Sequence, residues 1–317
     1  MGNEELKEMR AAYVEAVTAL AEKNKNIVVL EADLTNCTNT GSFKKAFPEQ
    51  FVNVGIAEAN MVGIASGLSA AGKIPFASSF GCFSSRRVHD QFFISANYAK
   101  LNVKLIGMDP GVTAATNGGT HMPFEDLALM RVIPHLTIIE PSDYYSCKAL
   151  TKEAAELYGC VYMRWPRKPV PVLYSESESF KIGKAKLLKE GKDVCFVCLG
   201  GFMVNEALKA REELAKDGVD AGIVDVLTLK PIDKETILGQ AGRVKAVISA
   251  ENAQIACGLG SAVAEILAEN GAGCKFARIG IRDEFGEVGS QDYLAKRFGL
   301  TAGKFVETAK ELLKQPG

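Results

Sequence analysis

Residues 51–83 read FVNVGIAEANMVGIASGLSAAGKIPFASSFGCF, and three patterns follow one another inside that run. "FVNVG" is short and β-rich and ends on glycine, as a strand closed by a turn does. Residues 57–71 are small and apolar at helical spacing, and "KIPFASS" (73–79) then reads as a second strand. Strand, helix, strand is the unit from which parallel sheets are built. One carboxylate, Glu58, stands at the start of the helix, with Met61 and Val62 one turn later and Ala, Gly, Ile and Leu on the remaining faces. A helix apolar all round is expected to be buried, and Glu58 with it. A carboxylate there must pair with a cation, accept hydrogen bonds or hold a proton. Two readings stay open at this point. Glu58 is either a first-turn acid satisfied by free backbone N–H groups, or a desolvated acid that shares a proton with a ligand nitrogen.

The same alternation extends outward. Residues 4–23 have helical spacing and 26–32, "NIVVLEA", read as a buried strand. A helix through 84–99, strand "NVKLIGM", a Gly-rich loop, helix 123–132, strand "LTIIEP", helix 142–158 and strand "CVYMRWP" complete a first α/β unit. This predicts a mostly parallel sheet with helices on both faces, with ligands beyond the carboxyl ends of its strands. The stretch "PVPVLYSESESFKIGKAK" is rich in Pro, Ser and Glu, and a linker is expected at 176–190 between domains 1–175 and 191–317. The second domain is read as strand "DVCFVCLG", helix 203–217, strand "AGIVDVLTL", strand "KAVISAE", helix 258–270, strand "KFARIGI" and a terminal helix near 303–314.

The bulk composition narrows the function. The 317 residues carry 37 Lys plus Arg against 38 Asp plus Glu, so neither a nucleic acid nor another polyanion is the expected partner. The opening "MGNEELKEMR" is acidic, and no apolar run reaches the ~18–20 residues of a membrane span. Eight scattered cysteines fit reduced thiols, and a cytoplasmic protein is expected. Cys195 and Cys198, three apart in an apolar strand, should point to opposite faces as two core thiols. Three scattered histidines make no metal site.

Five ordered blocks, "ADLT" (32–35), "FVNVGIAEANMVGIASGL", "PFASSFGCF", "NGGTHMPFEDLALMRVIPHLTIIEPSD" and "DEFGEVGSQDYLAKRFGLTA", resemble the pyrimidine-binding and C-terminal domains of transketolase over nearly the whole chain. The resemblance implies the C-terminal subunit of a split, thiamine diphosphate-dependent transketolase that moves a two-carbon glycolaldehyde unit from a ketose to an aldose. It assigns Glu58 to a nitrogen of the cofactor's aminopyrimidine. Phe80 and Phe83 would sandwich that ring, Ile56 would prop the bent cofactor, and Asp33 and Leu34 would line it. Arg86 stands where many transketolases carry a Tyr. His121, after a paired-Gly turn, would face the reacting sugar as donor or proton shuttle. Arg10 and Arg164 match arginines that hold the substrate phosphate, whose fork suits a dianion. Without the resemblance, Arg10 reads as a helix-surface charge and Arg164 and Arg167 as loop cations.

The chain also departs from the pattern. Cys37 replaces a phosphate-contacting Ser, Asp109 a His, and Asn117 an Asp that reads a substrate hydroxyl. At close range Asp109 would repel a phosphate. The Gly-Asp-Gly turn that anchors the diphosphate through a divalent ion such as Mg2+ does not occur in the sequence. A companion N-terminal transketolase subunit is therefore expected to supply it in a two-fold α2β2 heterotetramer, the lone chain being an inactive dimer. Rival readings are the β subunit of a 2-oxoacid dehydrogenase, a deoxyxylulose phosphate synthase, which Asp109 and Arg86 or Arg87 suit, and a non-catalytic scaffold. "CGLGSAVAE" (257–265) suggests a dinucleotide-binding module but lacks its third glycine.

Overall fold

The computed structural model describes residues 5–315, so the first four residues of the acidic opening lie outside the described residues. Two sheets organise the chain. The larger runs, edge to edge, through Thr228–Lys230, Thr137–Ile139, Val161–Trp165, Lys104–Met108, Ile74–Phe80, Ile27–Glu31 and Phe51–Asn53. All neighbours are parallel except the first pair. Helix Glu58–Ala70 connects Phe51–Asn53 to Ile74–Phe80, so the opening stretch is the expected strand–helix–strand unit. Helix Tyr144–Glu156 starts at a capping box: Asp143 Oδ1 accepts from the Ser146 N–H at 2.8 Å, and Ser146 Oγ accepts from the Asp143 N–H at 2.9 Å.

The smaller sheet orders Lys275–Ile281, Ala246–Gln254, Val194–Cys198, Ala221–Asp225 and Lys186–Lys189, parallel except for the last. Residues 186–189 of the expected linker are thus an edge strand, pairing antiparallel with Ala221–Asp225. A second correction concerns "AGIVDVLTL". The run is not one strand. The chain leaves the smaller sheet after Asp225, turns at Leu227 with φ 56°, and enters the larger sheet as Thr228–Lys230, antiparallel to Thr137–Ile139. The two sheets consequently share a core, in which Leu30, Leu105 and Tyr162 of one belong to the same apolar cluster as Cys195, Val197 and Val247 of the other.

Cys195 and Cys198 are both fully buried, and they face different clusters. Helix Glu58–Ala70 is not buried all round, however: Asn60, Gly63, Gly67 and Ala70 form an exposed stripe of small residues. No helix among the described residues is long and apolar enough to cross a membrane.

Candidate active site

Because the strands of the larger sheet run the same way, the loops that follow them gather at one end. Asp33, Glu58, Phe83, Asp109 and Arg167 come from five such loops. Three non-glycine residues in these loops have left-handed backbones, Asp33 at φ 60°, Asp109 at φ 57° and Ala115 at φ 48°, a concentration of strain typical of functional sites. Asn53, which the sequence did not single out, braces Asp33 and the turn at Gly55. Its Oδ1 accepts from Asp33 N at 3.1 Å and Gly55 N at 3.0 Å, and its Nδ2 donates to Asp33 Oδ1 at 3.3 Å.

Glu58 is 2% exposed as the first residue of its helix. Both carboxylate oxygens are engaged by side chains: Ser79 Oγ donates to Oε1 at 3.2 Å, and Arg87 Nη1 donates to Oε2 at 2.7 Å. Arg87 is 44% exposed and lies over Phe83, its guanidinium carbon 3.8 Å from the ring centroid. Phe80, Phe83 and His121 form a three-ring cluster with edge-on contacts at 6.2, 6.1 and 5.3 Å. His121 Nδ1 is 3.0 Å from Thr120 Oγ1. Ile56 is 77% exposed at the mouth, Leu34 is half-buried, and Asn117 is exposed.

Arg86, where the resemblance has a cofactor-lining Tyr, pairs with Glu125 at 2.9 Å and donates to the Thr120 carbonyl at 3.0 Å, holding the turn before His121, and Arg87 is the residue that bonds Glu58. Arg164 is not a substrate ligand, because it is fully buried and committed to Asp126 at 2.7 Å and Glu140 at 2.8 Å. Tyr162 donates to the other oxygen of Asp126 at 2.8 Å. Burial raises Glu140 to about 7 despite Arg164. On strand Val161–Trp165 consecutive side chains alternate faces, and the accessible cations are Arg167 and Lys168, beyond the strand end.

Arg167 Nε donates to Asp109 Oδ2 at 2.5 Å and its backbone N–H to Oδ1 at 2.8 Å. Its guanidinium carbon sits 4.7 Å over Phe80. Burial raises the Asp109 carboxyl, opposed by Arg167. Arg10 is gripped by Glu8 through both oxygens, at 2.7 and 2.9 Å. A line of contacts therefore runs from Glu58 through Arg87, Phe83, His121 and Phe80 to Arg167 and Asp109.

The other glycine-rich candidate takes no ligand phosphate. Helix Leu259–Glu269 has its first N–H groups, Leu259 and Gly260, bound at 2.7 Å by the buried Glu251 carboxylate, where a dinucleotide would place its pyrophosphate. A buried acid near two phenylalanines whose faces are covered only by partly exposed arginines fits a flat, nitrogen-bearing ring. Among the described residues no group of three or more His, Cys, Asp or Glu could hold a metal ion.

The transketolase pyrimidine-binding domain matches residues 6–172, and the transketolase C-terminal domain matches 183–304. The 6-deoxy-6-sulfo-D-fructose transketolase subunit SqwH of Clostridium sp. (strain MSTE9) is 47% identical over 97% of this chain and 95% of its own length. A 1-deoxy-D-xylulose-5-phosphate synthase of Heliobacterium modesticaldum is 33% identical, but this chain spans only 46% of it. A solved structure described as a split gene transketolase, inactive β4 tetramer, superposes with TM-score 0.90 at 43% identity, covering 96% of this chain and 98% of that one. The chain belongs to the transketolase family and is built of its pyrimidine-binding and C-terminal domains.

Proposed function

We propose that this chain is the C-terminal subunit of a two-chain transketolase and transfers a two-carbon glycolaldehyde unit from a ketose with an anionic far end to an aldose. The observation that carries the reading is Glu58, 2% exposed and joined through Arg87 to Phe83, whose ring meets Phe80 and His121. Transketolases depend on thiamine diphosphate, which when bound supplies the nucleophilic carbon that accepts the two-carbon unit. Glu58 would exchange a proton with a pyrimidine nitrogen. Phe80 and Phe83 would wall the ring, with Ile56 beneath it and Asp33 and Leu34 at its margin. His121 would donate to the sugar oxygens, while Asn117, Arg10 and the Asp109–Arg167 pair would meet the distal part of the substrate.

The diphosphate and its divalent ion are assigned to a partner N-terminal subunit in an α2β2 assembly. Supporting this, the chain is about half as long as the synthase relative, and the matched domains are the pyrimidine-binding and C-terminal ones. The balanced charge and the eight free cysteines support a cytoplasmic enzyme. The test is reconstitution with the chain carrying the diphosphate-binding half. Ketose-dependent transfer is expected from the pair, and turnover by this chain as the sole protein would refute the assignment of half the site to a partner.

A further inference from the structure

Beyond Phe80 lies a cleft of about 300 Å³ lined by Glu8, Arg10, Asp109, Asn117, Arg167 and Lys168, among others. Arg167 covers Phe80, and the Phe80 ring meets His121, so the cleft begins one ring away from the cluster that faces Glu58. A substrate reacting beside His121 lays its far end here. This placement rests on the transketolase reading above.

Charge decides what that end can be. Three cations, Arg10, Arg167 and Lys168, face two carboxylates, Glu8 and Asp109, leaving one net positive charge. Neither carboxylate is incidental. Glu8 occupies the Nε–Nη2 edge of Arg10 with both oxygens, and the Cys37 carbonyl accepts from Arg10 Nη1 at 3.3 Å, so each Arg10 nitrogen is already engaged by the protein. Asp109 is buried, fixed by its left-handed backbone, and bonded to both the side chain and the backbone of Arg167. The charged nitrogens of the cleft that make no hydrogen bond or ion pair with the protein among the described residues are the two terminal nitrogens of Arg167 and Nζ of Lys168.

We propose that this cleft selects a sugar whose carbon remote from the carbonyl carries a sulfonate rather than a phosphate ester. A phosphate ester bears about −1.5 to −2 charges at pH 7, with a second pKa near 6. A sulfonate bears one at every working pH. The monoanion matches the single uncompensated positive charge, whereas the second charge of the phosphate meets only Glu8 and Asp109.

The experiment uses the complex of this chain with the subunit carrying the diphosphate-binding half, given a six-carbon ketose with 6-sulfonate, with 6-phosphate, or with neither. At pH 8 the sulfonate is expected to exceed the phosphate in kcat/KM by about tenfold or more. That ratio should shrink below about pH 6, where the phosphate takes up its second proton. Glu8→Gln and Asp109→Asn each add one net positive charge and should move the preference toward phosphate. Glu8, at the rim, serves should Asp109→Asn fail to fold. A wild-type preference for phosphate at pH 8, equal rates for the sulfonate and the neutral sugar, or a preference that both folded variants leave unmoved overturns the sulfonate assignment while leaving the transketolase reading intact. Absence of transfer from all three sugars overturns both.

Discussion

Two arginine–carboxylate pairs of the larger sheet have the same 2.7 Å separation and opposite characters. Arg164 and Asp126 are both fully buried, flanked by Glu140 and the Tyr162 hydroxyl. Glu58 is as deeply buried as they are, but its partner Arg87 is nearly half exposed and merely rests on Phe83. The first pair cannot part without leaving a bare charge in the interior, which costs several kcal/mol. The second can open toward solvent, because Arg87 keeps its hydration when it leaves. Distance alone does not distinguish a structural ion pair from a replaceable one; the exposure of the weaker-held partner does.

The contrast is sharpest at the two acids and their partners. Glu58→Gln, nearly isosteric, should lower the turnover of the reconstituted complex by about 10²–10⁴-fold with little change in melting temperature. A complex that keeps wild-type turnover would place Glu58 with the structural pairs. Arg164→Ala should act in the opposite sense, destabilising the chain by about 3–5 kcal/mol in urea unfolding, since Asp126 and Glu140 then lie uncompensated. A well-folded Arg164→Ala chain with altered substrate affinity would return that residue to the site.

A pH titration reads the interior more gently. Burial holds Glu140 and Glu251 at about 7 and Glu31 at about 8, all above the 4.5 of an exposed glutamate. Between these values the folded chain retains protons that the unfolded chain has lost. Stability is therefore fullest below about pH 4.5 as far as these groups are concerned, and it falls as pH rises toward 7–8. Urea midpoints at pH 5 and pH 8 measure the slope, and Glu31→Gln should flatten part of it, because Oε1 of Glu31 accepts from Thr40 Oγ1 at 3.0 Å and Oε2 has no partner. The smallest effect is expected from Arg87→Gln, which should shift unfolding by less than about 1 kcal/mol, as exposed pairs do. A loss as large as that of Arg164→Ala would erase the distinction between the two pairs.

What was legible in the sequence was mainly local. Glu58 stood out because a charge in an apolar helix demands a partner, and Phe80, Phe83 and His121 do converge on the same end of the sheet. Glu31, a lone acid within the fully buried strand Ile27–Glu31, obeys the same logic and gave the same signal unread. What failed turned on single steps. Arg164 sits on strand Val161–Trp165, where one residue along the chain reverses the side to which a side chain points, and its side faces the interior. Nor does periodicity reveal that "AGIVDVLTL" divides at Leu227, since both halves are equally β-like. The stripe of small residues along helix Glu58–Ala70 was mistaken for interior because exposure depends on whether another surface covers it.

That division at Leu227 has a mechanical consequence. The three residues that cross over are hydrogen-bonded to strand Thr137–Ile139, so the halves of the molecule are laced together at a place far along the chain from the connector at 176–185. Cutting that connector with a protease should release nothing, and heating should show one melting event instead of two. Any opening and closing of the cleft must then come from its loops, because there is no hinge between the sheets for it to use.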